Sequence, residues 1–220
     1  MTAFKNIKIT KTARYYTTGN PSLNIRTVWF VLHGYGQRAE EFIKYFKPLQ
    51  NDESLIIAPE GLNRFYLKGF NGKTGAAWMT REERENEIID YINYLDSVYD
   101  EVIRYSLLNN VIINVIGFSQ GAATACRWVS KKNSPINRLI LWGGEIPEDV
   151  ELPLLGKNLG SSGVEFVLGD KDEFISDDKL TGSTERLLKI QLNHKIYRFN
   201  GKHEIKAEVL RQLMLPEERS

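Results

Sequence analysis

The chain has 220 residues, 42% of them hydrophobic and 26% charged, with a formal net charge of +1. Those values predict one globular domain over residues 1–220 with ample chain for a core. They exclude the basic excess by which a protein holds nucleic acid or an anionic membrane. The first residues lack the apolar run of a signal peptide, no transmembrane-length run follows, and the single cysteine, Cys126, excludes an internal disulfide, so a reducing cytoplasm is the expected location.

Phe4 to Thr10 and Ala13 to Thr17 read as extended stretches, and together they predict an antiparallel hairpin at a sheet edge before the break at Gly19-Asn20-Pro21. Thr27 to Leu32 is the first clearly buried strand and ends in His33-Gly34-Tyr35-Gly36-Gln37. Phe42, Phe46 and Leu49 then give a helical stripe, with Pro48 near its end. Ser54 to Ala58 is the next strand. Leu62 to Met79 is irregular and rich in glycine and aromatics, among them Phe65, Tyr66, Phe70 and Trp78. It is either a functional loop or a surface loop pinned by its own aromatics. Thr80 followed by Glu83 reads as a capping box that opens a long helix with Ile88, Ile92, Leu95 and Val98 on one face, ended by Asn109-Asn110.

Val111 to Ile116 is β-branched and almost wholly apolar, as in a strand covered on both faces. Ala122 to Ser130 has no breaker and reads as a packed helix, with Cys126 buried inside it. Between them lies Gly117-Phe118-Ser119-Gln120-Gly121, a G-x-S-x-G sequence. Set between strand and helix, it predicts a tight turn that holds a strained serine with its hydroxyl exposed. Ser119 is therefore the candidate nucleophile. After a break at Asn133-Ser134-Pro135, Ile136 to Trp142 and Val164 to Leu168 are further buried strands. The roughly twenty residues between them predict a short loop with about one helical turn and no large lid. Asp177 to Gln191 reads as a helix, Lys195 to Phe199 as the last strand, and Ile205, Val209 and Leu213 mark a terminal amphipathic helix. Strands alternating with helices predict an α/β fold with a mostly parallel, doubly wound sheet.

In such sheets ligands gather beyond the carboxyl ends of the strands, so a base for Ser119 should follow a strand. His194 precedes the last strand, and His33 follows a strand but comes before the serine. His203 follows the last strand and completes the order Ser, acid, His. The acid lies between them: Asp172, with Asp170 as close rival and Glu145 or Asp149 as weaker options, while Asp177 and Asp178 read as helix-start residues. Two backbone N–H groups are needed for an oxyanion. Gln120 at the helix start supplies one, and Tyr35 between two glycines supplies the other.

Six stretches in order carry a resemblance: Leu32 to Gly36, Ala58 to Gly61, Gly117 to Gly121, Gly143 to Pro147, Gly169 to Ile175 and Gly201 to Ile205. With them the chain resembles an α/β-hydrolase of the phospholipase/carboxylesterase group, which includes acyl-protein thioesterases and small bacterial esterases. The resemblance implies that fold, Asp172 in preference to Asp170, and Tyr35 and Gln120 as the oxyanion donors. One departure is Gln37, where the group often has an acid, so its better-known substrates do not carry over directly.

The expected chemistry is acyl transfer on a small-molecule ester of short to medium acyl length, without metal or cofactor and without stable membrane association. Trp78, Phe70 and Phe118 are the expected substrate-binding residues. The alternatives are an acyl-protein thioesterase or lysophospholipase, a small peptidase or amidase, and a binding protein on the same fold. The sequence fixes no oligomeric state.

Overall fold

Strands rich in β-branched and aromatic residues pair in two sheets, and the side-chain alternation along the larger one decides what covers each face. The computed structural model describes residues 2–214 except 20, 21, 23, 105–107, 109, 110 and 133, so the predicted breaks at Asn20-Pro21, Asn109-Asn110 and Asn133 lie outside the described residues. In chain order the strands are β1 (Tyr15–Thr18), β2 (Thr27–Leu32), β3 (Ser54–Pro59), β4 (Asn63–Tyr66), β5 (Thr74–Ala77), β6 (Ile112–Phe118), β7 (Arg138–Trp142), β8 (Val164–Gly169) and β9 (His194–Phe199). The helices are α1 (Ala39–Phe42), α2 (Arg84–Tyr99), α3 (Gln120–Lys131), α4 (Leu152–Leu159), α5 (Asp177–Lys189) and α6 (Ala207–Leu213).

The main sheet has the order β1-β3-β2-β6-β7-β8-β9. Only β1 is antiparallel to its neighbour, with Tyr15 opposite Pro59 and Thr18 opposite Ile56. The other pairs are parallel. In β2, Val28, Phe30 and Leu32 face a core shared with α2, α3, α4 and α5. Trp29 and Val31 face the opposite core, closed by α1, the 3-10 turns of Ile43–Leu49, and α6. The predicted stripe of Phe42, Phe46 and Leu49 is buried there. Pro48 explains why it is 3-10 rather than α: its ring would collide with the carbonyl four residues back.

Four sequence expectations change. The N-terminal hairpin is absent; only β1 pairs, and Phe4, Ile7 and Ile9 are exposed outside the sheet. Phe4 and Ile7 are three residues apart, so they fall on opposite faces of a pleated strand and no apolar face forms. Leu62 to Met79 contains the β4–β5 hairpin, with Asn63 opposite Ala77 and Tyr66 opposite Thr74. Helix α2 begins at Arg84 after Glu83 at φ 51°, not in a capping box. The Thr80 N–H and hydroxyl instead reach the Glu87 carboxylate, while Glu83 accepts from Asn6 and Asn86 side chains. Between β7 and β8 stands the eight-residue α4, with Leu152, Leu155 and Leu159 buried against α3. Two adjacent parallel strands require such a crossover, so the segment serves the core rather than capping the strand ends.

Candidate active site

The chain leaves β2 towards β3 on one side and leaves β6 towards β7 on the other, although β2 and β6 are neighbours. That reversal opens a crevice at their carboxyl ends. His33 to Gln37 leave β2 there, and Ser119 leaves β6. Asp172 follows β8 and His203 follows β9 at the same edge of the sheet.

Ser119 has φ 53° and ψ −118°, a conformation that an L-residue adopts only under constraint. The constraint is visible on both sides. Its N–H donates to Trp142 O at 2.9 Å, and its carbonyl accepts from Ala122 N at 2.9 Å. A Cβ at Gly117 would stand 2.3 Å from Gly121 O, and one at Gly121 would stand 2.2 Å from Leu32 O. Only glycines let strand and helix close on the serine this tightly.

His203 Nδ1 lies 2.8 Å from Asp172 Oδ2. The Asp172 side chain is 2% exposed and that of His203 15%. The other Asp172 oxygen accepts from Phe174 N at 2.9 Å and Ile175 N at 3.2 Å, which fixes the carboxylate in one orientation. Two tilted rings pack near the imidazole, Phe118 at 4.8 Å and Phe174 at 4.6 Å between centroids. The rival acids are engaged elsewhere. Asp170 is exposed, Glu145 pairs with Lys179 at 3.6 Å, and Asp149 is held by Arg127 and Arg84. Hydrogen bonding from Arg127 pulls the Asp149 carboxyl down to about 2.

The loop after β2 is tied down bond by bond. Gly34 N donates to Gln37 Oε1 at 2.8 Å, Gln37 N to Gly34 O at 3.2 Å, and Gly36 N to Ala76 O in β5 at 2.8 Å. The Tyr35 N–H is the one in this turn left without an acceptor among the described residues. Gln120 is the first residue of α3, where an N–H has no intrahelical acceptor and the dipole favours negative charge. Its side chain clamps the hairpin strand, accepting from Trp78 N at 3.0 Å and donating to Met79 O at 2.8 Å.

His33 supports this loop from beneath. Its Nε2 accepts from Gly61 N at 2.9 Å, which leaves Nδ1 as the protonated nitrogen, 2.8 Å from Gly34 O. Burial pushes its pKa down to about 4, so it is neutral at pH 7. Nothing in the sequence beyond its position after β2 marked this role.

The expected substrate residues part company. Trp78 is 1% exposed, and its indole N–H donates to His33 O at 2.8 Å, so it belongs under the loop rather than on an open wall. Phe70 is 96% exposed at the hairpin tip. Phe118 lies between Phe42 and His203. Besides Phe70, the exposed apolar side chains on these loops include Tyr35, Leu67 and Phe174. Leu67 lies close over the backbone at Gly36 and Gly75.

A sequence model described as Phospholipase/Carboxylesterase matches residues 16–214. The chain belongs to that family. As a phospholipase/carboxylesterase family member it is an ester-hydrolysing serine hydrolase. Solved structures with the same fold include the acyl-protein thioesterase 2 of Zea mays, at 16% identity and TM-score 0.70, covering 92% of this chain and 96% of that one. They also include the carboxylesterase of Bacillus cereus, at 15% identity and TM-score 0.68, covering 91% of each chain. A third is the esterase PE8, at 18% identity and TM-score 0.67, covering 93% and 98%. No curated protein matches the chain by sequence. Among the described residues, no group of three or more His, Cys, Asp or Glu could hold a metal ion, and no helix is long and apolar enough to cross a membrane.

Proposed function

We propose that this phospholipase/carboxylesterase family member cleaves carboxylic esters of short to medium acyl chain through Ser119 as nucleophile, His203 as general base and Asp172 as orienting acid. The observation that carries this reading is the 2.8 Å contact of His203 Nδ1 with a buried Asp172 oxygen. It leaves Nε2 as the nitrogen to take the serine proton. Ser119 Oγ attacks the carbonyl carbon while its proton passes to His203. The oxyanion accepts from the N–H groups of Tyr35 and Gln120. Collapse expels the alcohol, which leaves with the proton from His203. Water then attacks the acyl-enzyme, giving its proton to His203, which returns it to Ser119 as the acid departs.

The acyl-length reading rests on the exposed side chains of Tyr35, Leu67 and Phe174, which offer a shallow apolar rim. At about 0.8 kcal/mol per buried methylene, such a rim rewards only the first few carbons. In the same reading residues 1–220 form one domain, and the single buried Cys126 fits a reducing cytoplasm.

The test is hydrolysis of p-nitrophenyl esters from acetyl to palmitoyl by the wild type and by Ser119→Ala, His203→Ala, Asp172→Asn and Asp170→Asn. Ser119→Ala and His203→Ala should each lower kcat roughly 10⁴-fold in a folded protein. Asp172→Asn should cost more than Asp170→Asn. Efficiency should peak between about butyryl and hexanoyl. Efficiency that rises through palmitoyl, or a faster rate on matched thioesters, would move the reading to long-chain lipid or thioester substrates.

A further inference from the structure

Phe174 is the side chain in this region whose position core packing does not explain. It is 67% exposed, yet its ring centroid lies 4.6 Å from that of His203 at an interplanar angle of 46°. Phe118 lies 4.8 Å from the imidazole at 36°. Backbone geometry holds Phe174 there, since its N–H donates to Asp172 Oδ1 at 2.9 Å. The imidazole thus has a carboxylate at Nδ1 and two aromatic rings whose centroids lie within the usual cation–π distance.

We propose that Phe174 is a positioning residue that acts through His203: together with Phe118, its neighbouring ring stabilises the imidazolium formed while the ester carbonyl is attacked. The proposal rests on the reading of His203 as the base. Imidazole becomes a cation in that step, and an aromatic face attracts the cation more than the neutral ring. The effect therefore favours the transition state over the ground state, which is what raises kcat. Asp172 faces Nδ1, and the β7 side contributes Gly143, which carries no charge. The elbow contributes Phe118 and Ser119. On the histidine's own loop, Glu204 is turned to the Lys202 N–H at 3.2 Å and to Lys206 Nζ at 3.7 Å. In the loop that carries Asp172, Lys171 and Glu173 are exposed.

The sign separates this role from simple shielding. If the ring stabilises the cation, replacing it by an aliphatic side chain makes protonation of the base harder. The acid limb of the kcat/KM profile then moves to lower pH while the plateau falls. A ring that only kept water away would leave the limb unmoved in Phe174→Leu.

The experiment compares the full-length wild type, Phe174→Leu and Phe174→Tyr on p-nitrophenyl butyrate across pH 5 to 9, with Tm measured for each. Phe174→Leu should lower kcat about fivefold with KM within about twofold. Its acid limb should shift about half a pH unit downward. Phe174→Tyr should restore both, because the aromatic face returns. Equal losses in Leu and Tyr, no loss in Leu, or a limb that stays or moves upward would overturn the proposal. His203→Ala in the same assay keeps the two readings apart. Activity surviving in His203→Ala defeats the proposed function itself, whereas an essential His203 with an unmoved Leu profile defeats only the role of Phe174.

Discussion

Acid should destabilise this protein through His33, a residue that takes no part in the proposed chemistry. Its side chain has no exposed surface, and burial lowers its pKa from 6.5 to about 4. The folded value lies below the unfolded one, so between those two pH values the unfolded chain binds a proton that the folded chain refuses. Stability is therefore full above pH 6.5 and falls as the pH drops towards 4. A gap of about 2.5 pH units corresponds to about 3 kcal/mol. The structural reason is that protonated Nε2 would point a second N–H at the Gly61 N–H, 2.9 Å away, in a site with no exposed surface. Urea unfolding of the wild type and His33→Gln at pH 7.5 and pH 4.5 measures the term. The glutamine can keep one acceptor and one donor without titrating, so acid-induced loss shared by both belongs to other groups. The wild type should lose about 2 to 3 kcal/mol more than the variant, moving its midpoint by about 1 M. Parallel losses in the two proteins would refute the argument, because the titrating group would then lie elsewhere.

Ser119→Gly should abolish activity yet raise stability by about 1 to 2 kcal/mol, since glycine adopts φ 53°, ψ −118° without strain; a thermal melt below that of the wild type would contradict this. Trp78→Ala should cost about 3 to 5 kcal/mol of stability. It should depress turnover of acetyl and hexanoyl esters by similar factors, because the indole supports the loop from below; selective loss on the longer ester would put Trp78 back on an acyl wall. Burial pushes the Cys126 thiol up to about 12, so iodoacetamide should inactivate no faster than the protein unfolds, as parallel measurement of labelling and circular dichroism would reveal.

What could be read from the sequence was what depends on local pattern. The run from Val111 to Ile116 has to be a covered strand, and Gly117 and Gly121 around Ser119 have to be small, because the steric demand is set within five residues. The order of strand ends put His203 and Asp172 at the right edge of the sheet. What could not be read depends on contacts between distant segments. The indole of Trp78 turns inward because His33 O, 45 residues away, accepts its N–H. Gln120 looks like an ordinary helix start, yet its side chain pins residues 78 and 79 of the hairpin. Glu83 fits a capping box by spacing, but Glu87 takes Thr80 instead, and spacing alone does not distinguish the two carboxylates. The apolar residues at Phe4, Ile7 and Ile9 were misleading for a plainer reason: their parity is wrong for one face of a strand.

The two halves of the candidate site are built with different rigidity. Ser119 and the Tyr35 loop stand at the ends of β2 and β6, which lie in the interior of the sheet and are almost wholly buried. The hairpin binds that loop through Ala76, and Gln120 binds the hairpin in turn, so Ser119 and the backbone N–H groups of Tyr35 and Gln120 belong to one braced unit. His203 instead follows β9, an edge strand of mostly partly exposed residues, and Asp172 follows its one neighbour β8. Contacts that join the halves around the histidine include the packing of Phe118 near its ring, the close approach of the Gly143 backbone, where an added Cβ would stand 2.9 Å from His203 Cε1, and the Trp142 indole N–H on Glu204 O at 2.9 Å. An elbow held rigid by its own strand cannot adjust to a wandering base, so alignment must be imposed on the histidine side. The Asp172 hydrogen bond sets the direction of the imidazole in its plane. The neighbouring rings of Phe118 and Phe174 crowd the imidazole and hinder its rotation about that bond, which is the degree of freedom a single hydrogen bond leaves open.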